Sequence, residues 1–159
     1  MRKTRANYAS QQYLFAPDPK KKQKPAVEAD LQLDYAQWME SALHWAPVNV
    51  EVSDVAGGRT DVHFAFANNR YIAEVKKDDA ECSLPALKKK YLGQAAEYLV
   101  ANVRLGLLLV LDLTEKPGGM RATEANVEVT TEVRNGDEFP RCVVVVTVPG
   151  NRRTPSSVV

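Results

Sequence analysis

Residues 57–76 constrain the fold more than any other part of the sequence, because they have the pattern of a β-hairpin. Two β-rich stretches meet at Asn68-Asn69, and asparagine tolerates the positive φ that a two-residue turn requires. If this dipeptide forms the turn, Asp61 lies opposite Lys76 in the paired strand. The segment is therefore predicted to form two adjacent antiparallel strands.

The predicted hairpin separates its polar side chains from its apolar ones, because side chains alternate between the two faces of a strand. One face carries Asp61, His63, Glu74 and Lys76, with His63 opposite Glu74. The other face mainly carries apolar side chains, namely Val62, Phe64, Phe66, Tyr71, Ala73 and Val75. Diagonal neighbours on one face lie roughly 7–8 Å apart, so the two carboxylates can both reach a cation placed between them.

This arrangement of charges suits a magnesium site. Mg²⁺ prefers hard oxygen ligands and is usually held by one or two carboxylates, while water and substrate phosphate complete the octahedron. Lys76 points the same way as Glu74 and could hold or activate the attacking water, as in phosphodiester cleavage. The alternative is a solvated surface pair, because opposite charges often face each other across exposed strands and contribute little. A Glu-X-Lys inside an apolar run, opposite an acid that follows two glycines, favours the site.

Three short motifs, in this order, resemble the PD-(D/E)XK nuclease superfamily. They are Gly-Gly-Arg-Thr-Asp61, then Glu74-Val75-Lys76 thirteen residues after that aspartate, then Gln94-Ala-Ala-Glu-Tyr98 on the next predicted helix. The resemblance covers about residues 28–114, and its Gln-X-X-X-Tyr element is similar to that of the exonuclease-like branches. Thr60 stands where the name-giving proline would be, a departure that many members share.

The resemblance implies a restriction-endonuclease-like fold and a Mg²⁺-dependent (or Mn²⁺-dependent) nuclease that acts on nucleic acid, with DNA in preference to RNA. It implies that the catalytic residues are Asp61, Glu74, Lys76 and Gln94. It also implies metal binding by Asp61, Glu74, the Val75 carbonyl and, as a further candidate on the first helix, Glu28. Lys76 is the expected catalytic lysine, and Gln94 would position water or substrate. The candidates for substrate binding are Tyr98, Lys88, Lys89, Gly58 and His63.

Several of these candidates also have a purely structural explanation. Glu28 is an acid of the kind that the helix dipole favours in a first turn. Lys88 and Lys89 could form a solubilising surface, and Gly58 could belong to a plain turn. Tyr98 could be a core aromatic, and Gln94 a polar residue at the edge of a packed stripe. The sequence leaves these alternatives open.

The rest of the chain predicts further helices and strands around this hairpin. An amphipathic helical pattern covers residues 27–46, and an alternating strand follows at 48–52. The polar segment 77–82 is predicted to be a loop, which leads into a helix at about 83–102. The continuous apolar run 105–111 predicts a strand that is buried on both faces.

The dipeptide Asn135-Gly136 is the strongest short hairpin signal in the sequence. Two β-rich runs flank it, at about 125–134 and 141–149, and their hairpin either extends the sheet or packs beside it as an accessory ribbon. The predicted fold class is therefore α/β. Its restriction-endonuclease-like core has the order helix, three-strand meander, helix, strand, followed by a C-terminal β-hairpin.

The charge is distributed unevenly along the chain. The net charge is +1, but residues 1–27 carry seven Lys or Arg against Asp18 alone, which leaves −5 for the remainder. We predict that residues 1–26 form a basic extended arm or linker, residues 27–150 the nuclease-like domain and residues 151–159 a tail. An acidic body opposes tight binding of DNA by itself, so the arm or other protein chains would have to supply affinity.

Composition also bears on location and on metal chemistry. The chain has no run of about 18 apolar residues and no apolar segment at its N-terminus, so we expect an intracellular, cytoplasmic protein without a membrane partner. Cys82 and Cys142 have no companion ligands at metal-binding spacing, which makes zinc an unfavoured expectation.

The acidic body, the small size and the linker-like ends support an alternative function. The chain could be a catalytically silent module with the same fold, which docks or regulates within a larger nucleic-acid-processing or defence assembly. A third alternative is an unrelated α/β domain that matches the motifs by chance. The presence of all three motifs favours the nuclease, which would itself belong to a larger DNA-processing or defence system.

Overall fold

The computed structural model describes residues 11–17, 23–44, 47–55, 58–66, 69–99, 104–117, 119 and 121–153, and within 51–60 it describes the backbone alone. The described helices are α1 (Glu28–Ala42), α2 (Leu84–Leu87), a π-helical segment (Lys88–Leu92) and α3 (Gly93–Glu97). The strands are β1 (Val48–Val55), β2 (Gly58–Phe66), β3 (Asn69–Asp78), β4 (Leu105–Asp112), β5 (Val127–Glu132) and β6 (Arg141–Pro149). Short 3₁₀ turns occupy Gln12–Leu14 and Thr123–Asn126. The predicted α/β class is confirmed.

All six strands form one mixed sheet in the order β1-β2-β3-β4-β6-β5. The first three strands form an antiparallel meander, whereas β4 runs parallel to both β3 and β6. The C-terminal hairpin extends the sheet, because β5 pairs antiparallel with β6. Its connection spans residues 133–140 and is longer than the two-residue turn that Asn135-Gly136 suggests.

The predicted register of the central hairpin is wrong by one pair. Phe66 pairs with Asn69, so the connection consists of residues 67 and 68, which lie outside the described residues. His63 consequently lies opposite Ile72, and Asp61 does not lie opposite Lys76. A change of one pair moves the partner by two residues and keeps every side chain on its face, so the hydrophobic pattern cannot distinguish the two registers.

The sheet is covered on both faces by separate apolar clusters. On one face α1 contributes Leu31 and Ala36, which pack with sheet residues Val62, Ala73, Val75, Leu109 and Leu111. On the other face the helical run 84–97 contributes Leu87, Leu92 and Ala95, which pack with Leu108, Val110, Val143 and Val145. Burial of each of the leucine and valine side chains contributes about 1.5–3 kcal/mol. Strand β4 is therefore buried on both faces, as its apolar run predicts.

The helix between β3 and β4 is not a regular α-helix. Its segment Lys88–Leu92 is π-helical, and the buried residues Leu87 and Leu92 are five positions apart. A π-helical turn adds a residue, so every side chain beyond it is rotated relative to a continuous α-helix. The buried face continues with Ala95, Ala96 and Leu99.

Parts of the two predicted ends lie against the sheet. Leu14 is buried with the α1-side cluster, and the Tyr13 hydroxyl donates a hydrogen bond of 3.0 Å to Asp34 Oδ2. Residues 1–10 and 18–22 of the predicted arm, and residues 154–159 of the predicted tail, lie outside the described residues. Among the helices that are described, none combines the length and apolar character needed to cross a bilayer.

Candidate functional site

The site begins where β2 ends its pairing with β3. The last matched pair is Val62 with Ala73, and two carboxylates occupy the following positions along the β3 edge. The Val75 N–H donates a hydrogen bond of 2.7 Å to Asp61 Oδ2, and the Lys77 N–H donates one of 3.1 Å to Glu28 Oε2. Alternate residues of a strand present their backbone groups to the same neighbour, so the two acids lie one after the other along this edge.

Helix α1 fixes both of these acids. Glu28 is its first residue, and the Asp30 carboxylate accepts a hydrogen bond from the Val27 N–H, which caps the helix at this point. One turn later the buried Gln32 donates its side-chain amide to the Asp61 carbonyl at 3.0 Å. The first helix therefore holds Asp61 through its backbone and supplies Glu28 directly.

Glu74 and Lys76 complete the cluster from the face of β3. Lys76 Nζ lies 2.6 Å from Glu74 Oε1 and 4.0 Å from Glu28 Oε1. Glu28 and Glu74 thus lie beside one ammonium group, and the charge of Asp61 also acts on it. These four residues have a net charge of −2 when all are ionised. We call these four residues the carboxylate cluster. An excess of negative charge at a half-buried position favours the binding of a cation.

Glu74 is the least satisfied member of the carboxylate cluster. It is 2% exposed, and its Oε2 atom has no hydrogen-bond partner among the described residues. Burial raises the pKa of Glu74, and the charges of Asp61 and Glu28 raise it further against the opposing effect of Lys76. A buried carboxylate oxygen without a partner is costly, which makes this atom a candidate ligand.

Lys76 remains a cation at neutral pH. Burial alone would lower the pKa of Lys76, but its hydrogen bond to Glu74 and the charges of the three carboxylates raise it above the ordinary value. A protonated lysine can donate hydrogen bonds and stabilise negative charge, but it has no free electron pair with which to accept a proton.

The donors of the cluster fit Mg²⁺ or Mn²⁺ better than a softer metal. A residue in a strand presents its N–H and its carbonyl to the same side, so the Val75 carbonyl faces the edge where Asp61 binds the Val75 N–H. Asp61, Glu74 and this carbonyl supply oxygen alone, which suits hard cations. Within the described ranges, no three His, Cys, Asp or Glu side chains are arranged to hold a metal together. Two carboxylates and a carbonyl would leave the remaining positions to water and substrate, as is usual for Mg²⁺.

His63 shares the face of Glu74 but pairs across the strands with Ile72. It is 9% exposed, and neither imidazole nitrogen has a hydrogen-bond partner in the described part of the chain. Burial, and then the charge of Arg70, lower the pKa of His63, so the imidazole is neutral at neutral pH.

None of the other predicted residues forms a hydrogen bond or an ion pair with a member of the carboxylate cluster within the described residues. Gln94 is exposed and forms no hydrogen bond with a described residue, and Tyr98 is half-buried just after α3. Lys88 and Lys89 lie in the π-helical segment, where neither forms an ion pair within the described ranges. Gly58 is the first residue of β2 and pairs with Val55. The π-helical turn precedes Gln94, so its added residue rotates this side chain relative to a continuous α-helix.

Sequence reasoning missed Asp78, which it assigned to a loop. Strand β3 extends to this residue, and the 5% exposed Asp78 continues the polar row formed by Glu74 and Lys76. Its Oδ2 accepts hydrogen bonds from Lys90 Nζ at 2.6 Å and the Tyr91 hydroxyl at 3.0 Å. The signal was present, because residues 74, 76 and 78 continue the alternation of the strand.

The surroundings of Asp78 fix its protonation state. Burial alone would raise the pKa of Asp78, but hydrogen bonds from Lys90, from the Glu81 and Ala80 N–H groups and from Tyr91 lower it to about 2. Burial and the bond to Asp78 raise the pKa of Tyr91 to about 12. Asp78 is therefore a permanent anion at neutral pH.

Comparison with known proteins gives no match to a family model, to a curated protein or to a solved structure.

Proposed function

We propose that the protein is a metal-dependent nuclease of the PD-(D/E)XK type, which hydrolyses phosphodiester bonds of nucleic acid, with DNA preferred to RNA. The observation that carries this proposal is the convergence of Asp61, Glu74 and Lys76, joined by Glu28, where β2 separates from β3. The unpartnered, buried Oε2 atom of Glu74 adds to it.

The order of elements supports the proposal. Helix α1, the β1-β2-β3 meander, the helical run 84–97 and the parallel strand β4 follow one another as a restriction-endonuclease-like core requires. The remaining hairpin adds two strands beyond β4 and leaves the carboxylate cluster unchanged. The restriction-endonuclease-like arrangement is proposed together with the function.

Each member of the cluster has a distinct role in the proposed reaction. Asp61, Glu74 and the Val75 carbonyl would hold Mg²⁺ or Mn²⁺, with Glu28 close enough to bind a coordinated water. The bound cation supplies Lewis acidity to the phosphate and lowers the pKa of water. Lys76, held by Glu74 at 2.6 Å, donates hydrogen bonds to the charge that develops on the phosphate oxygens. Since Lys76 is protonated, its role is electrostatic rather than that of a general base.

The test is a cleavage assay with matched variants. Labelled single-stranded and double-stranded DNA and RNA are incubated with the protein and Mg²⁺, Mn²⁺ or EDTA, beside Asp61→Ala and Lys76→Ala. Asp79→Ala is the matched control, because this neighbouring acid has a 72% exposed side chain outside the cluster. We expect metal-dependent products from the wild type and Asp79→Ala alone. Identical products from all four proteins would rule out the proposal.

One observation favours the second candidate, a catalytically silent module. Lys76 already neutralises Glu74 Oε1, and Asp61 already accepts a backbone hydrogen bond, so the cluster is partly satisfied without a metal. Calorimetric titration with Mg²⁺ and Mn²⁺ distinguishes the two candidates. Absence of metal binding, together with a stable complex with another protein, would support the silent module.

A further inference from the structure

We infer that a cationic cleft at the carboxyl end of β4 and β6 binds phosphate groups of the nucleic-acid strand that reaches the carboxylate cluster. The cleft is a cavity of about 550 Å³, lined among others by Lys116, Asn151, Arg152 and Arg153. We call it the arginine cleft. That the ligand is a polynucleotide rests on the proposed nuclease function, whereas phosphate binding itself does not.

The charges of the arginine cleft favour an anion. Three of its described lining residues are cations, and Glu115 is the single acid among them. Lys116 is neutralised by Asp112 at 3.2 Å, which leaves the two arginines as the available cations. Neither Arg152 nor Arg153 forms an ion pair with a carboxylate of the described residues.

Arg152 is held in place by the backbone rather than by an acid. Its N–H donates to the Leu14 carbonyl at 3.0 Å, its carbonyl accepts from the Ala16 N–H at 2.8 Å, and its guanidinium donates to the Pro149 carbonyl. The residue is half-buried, and burial lowers the pKa of its guanidinium. A positioned, partly desolvated guanidinium without a counter-ion binds phosphate well, because its planar donors match two phosphate oxygens.

The arginine cleft and the carboxylate cluster both lie toward the carboxyl ends of the parallel strands. Asp78 of β3 pairs with Asp112 of β4, which pairs with Pro149 of β6, so the three strands end at the same level. Neighbouring strands are about 4.8 Å apart, so β3 and β6 are about 10 Å apart across the sheet, and Glu74 lies four residues, or about 13 Å, before the end of β3. A nucleic-acid strand that reaches both sites would therefore span at least about five phosphates.

The two arginines supply positive charge to a part of the chain that is acidic overall. The chain beyond residue 27 has a charge of −5, and the carboxylate cluster repels phosphate in the absence of a cation. A pair of arginines beyond the carboxyl ends of the same strands would offset part of that repulsion. A free nucleotide offers the same phosphate chemistry, and the cavity volume falls within the range of small-molecule sites. The experiment must therefore separate the two sources.

The experiment measures binding without cleavage. A labelled single-stranded DNA oligonucleotide is titrated in EDTA by fluorescence anisotropy, against the full chain, Arg153→Ala, Arg152→Gln and the double variant. Arg70→Ala is the matched control, because it removes the same charge from an exposed residue near the opposite end of β3. Competition by a mononucleotide and by inorganic phosphate forms the second arm. Circular dichroism establishes that Arg152→Gln is folded, and the exposed Arg153→Ala provides the result if it is not.

We expect the double variant to weaken binding about tenfold, as for the loss of hydrogen bonds to a charged group. The slope of log affinity against log salt should fall by about 0.7 for each phosphate contact removed. Arg70→Ala should change affinity less than twofold. Equal losses of affinity in Arg70→Ala and Arg153→Ala would show that only the overall charge matters, which would overturn the inference. Unchanged affinity in the double variant would also overturn it. A mononucleotide that competes at the same concentration as the oligonucleotide would overturn the assignment to a strand.

The result is separable from that of the cleavage assay. Weaker binding in the arginine variants, with no cleavage by the wild type, would support the arginine cleft and reject the nuclease. Metal-dependent cleavage with unchanged affinity in the arginine variants would support the nuclease and reject the arginine cleft.

Discussion

Two buried carboxylates on the same face of β3 have opposite properties, although they are four residues apart. Glu74 is 2% exposed and Asp78 is 5% exposed, so burial does not distinguish them. Asp78 accepts four hydrogen bonds from Lys90, Tyr91 and two backbone N–H groups, which lower its pKa to about 2. Glu74 has an oxygen with no described partner, and its pKa is raised.

The comparison teaches which buried acids stabilise a protein and which are available for chemistry. A fully bonded carboxylate is fixed as an anion, and its removal leaves several donors without a partner. An incompletely bonded carboxylate is costly in the isolated protein, and that cost is relieved when a cation binds. Asp78 is therefore expected to stabilise the fold, and Glu74 to bind the metal.

The largest effect is expected for Glu74→Gln on cleavage. This substitution preserves the shape of the side chain but removes the charge that would hold the cation. We expect the rate of metal-dependent cleavage to fall by about a thousandfold, as for the loss of a key electrostatic group. Steady-state assays on labelled DNA measure this, and Asp78→Asn should remain within about tenfold of the wild type. A larger loss in Asp78→Asn than in Glu74→Gln would reverse the assignment of roles.

The second-largest effect is expected for Mg²⁺ on the thermal stability of the wild type. Mg²⁺ at a hundredfold excess over its Kd should stabilise the wild type by about 2.7 kcal/mol. For a chain of this size that corresponds to a rise in Tm of roughly 5–10 °C. Thermal unfolding followed by circular dichroism measures the shift. Glu74→Gln should show little or no rise, and an equal rise in both proteins would place the metal elsewhere.

The third effect is the loss of stability in Asp78→Ala. The lowering of the Asp78 pKa to about 2 corresponds to about 2 kcal/mol. Because its folded pKa lies below its unfolded value, this contribution is present above about pH 4 and is lost as the pH falls through about 2. Urea unfolding at neutral pH measures the loss, with the exposed Asp79→Ala as control. Equal stability of the two variants would contradict the structural role of Asp78.

Glu74 should give the opposite dependence on pH. Its folded pKa is raised, so the stability that it contributes is full below its unfolded pKa of about 4.5 and is lost as the pH rises through the folded value. Glu74→Gln lacks this titration, so without metal it should lose less stability than the wild type as the pH rises above about 4.5. Urea midpoints across that range test the sign. A steeper decline in Glu74→Gln would mean that the pKa of Glu74 is lowered instead.

The smallest effect is expected for Tyr91→Phe. The variant removes one hydrogen bond to Asp78 and leaves the ring in place, so it should cost about 1 kcal/mol. Cleavage should be unchanged, because Tyr91 acts on the structural acid. Chemical unfolding and the cleavage assay, applied to the same preparation, check both parts. A cleavage defect without a loss of stability would place Tyr91 in the reaction instead.

The sequence was sufficient for the class of fold and for the grouping of charges. Strand alternation places Asp61, Glu74 and Lys76 on one face, and this holds in either register because the registers differ by two residues. The pairing itself could not be predicted, since the choice between Asn68-Asn69 and residues 67–68 depends on turn geometry rather than on burial.

Two further differences have local physical causes. The run after Lys76 appeared too polar for a strand, but Lys90 and Tyr91 satisfy Asp78 from a distant part of the chain. Gln94 was placed by α-helical spacing, which the π-helical turn at Lys88–Leu92 changes. Neither a tertiary hydrogen bond nor an added helical residue is visible in local periodicity.

The π-helical turn and the α3 segment after it contact different parts of the sheet. Within the turn, Lys90 and Tyr91 hold Asp78. After it, Arg134 donates to the Gly93 carbonyl at 2.8 Å and Arg141 donates to the Ala96 carbonyl at 2.6 Å, which ties α3 to the β5–β6 connection and to the start of β6. The π-helical turn is therefore anchored to the end of β3, whereas α3 is anchored to the C-terminal hairpin. Substitution of Arg134 or Arg141 is expected to loosen α3 while all four hydrogen bonds to Asp78 remain.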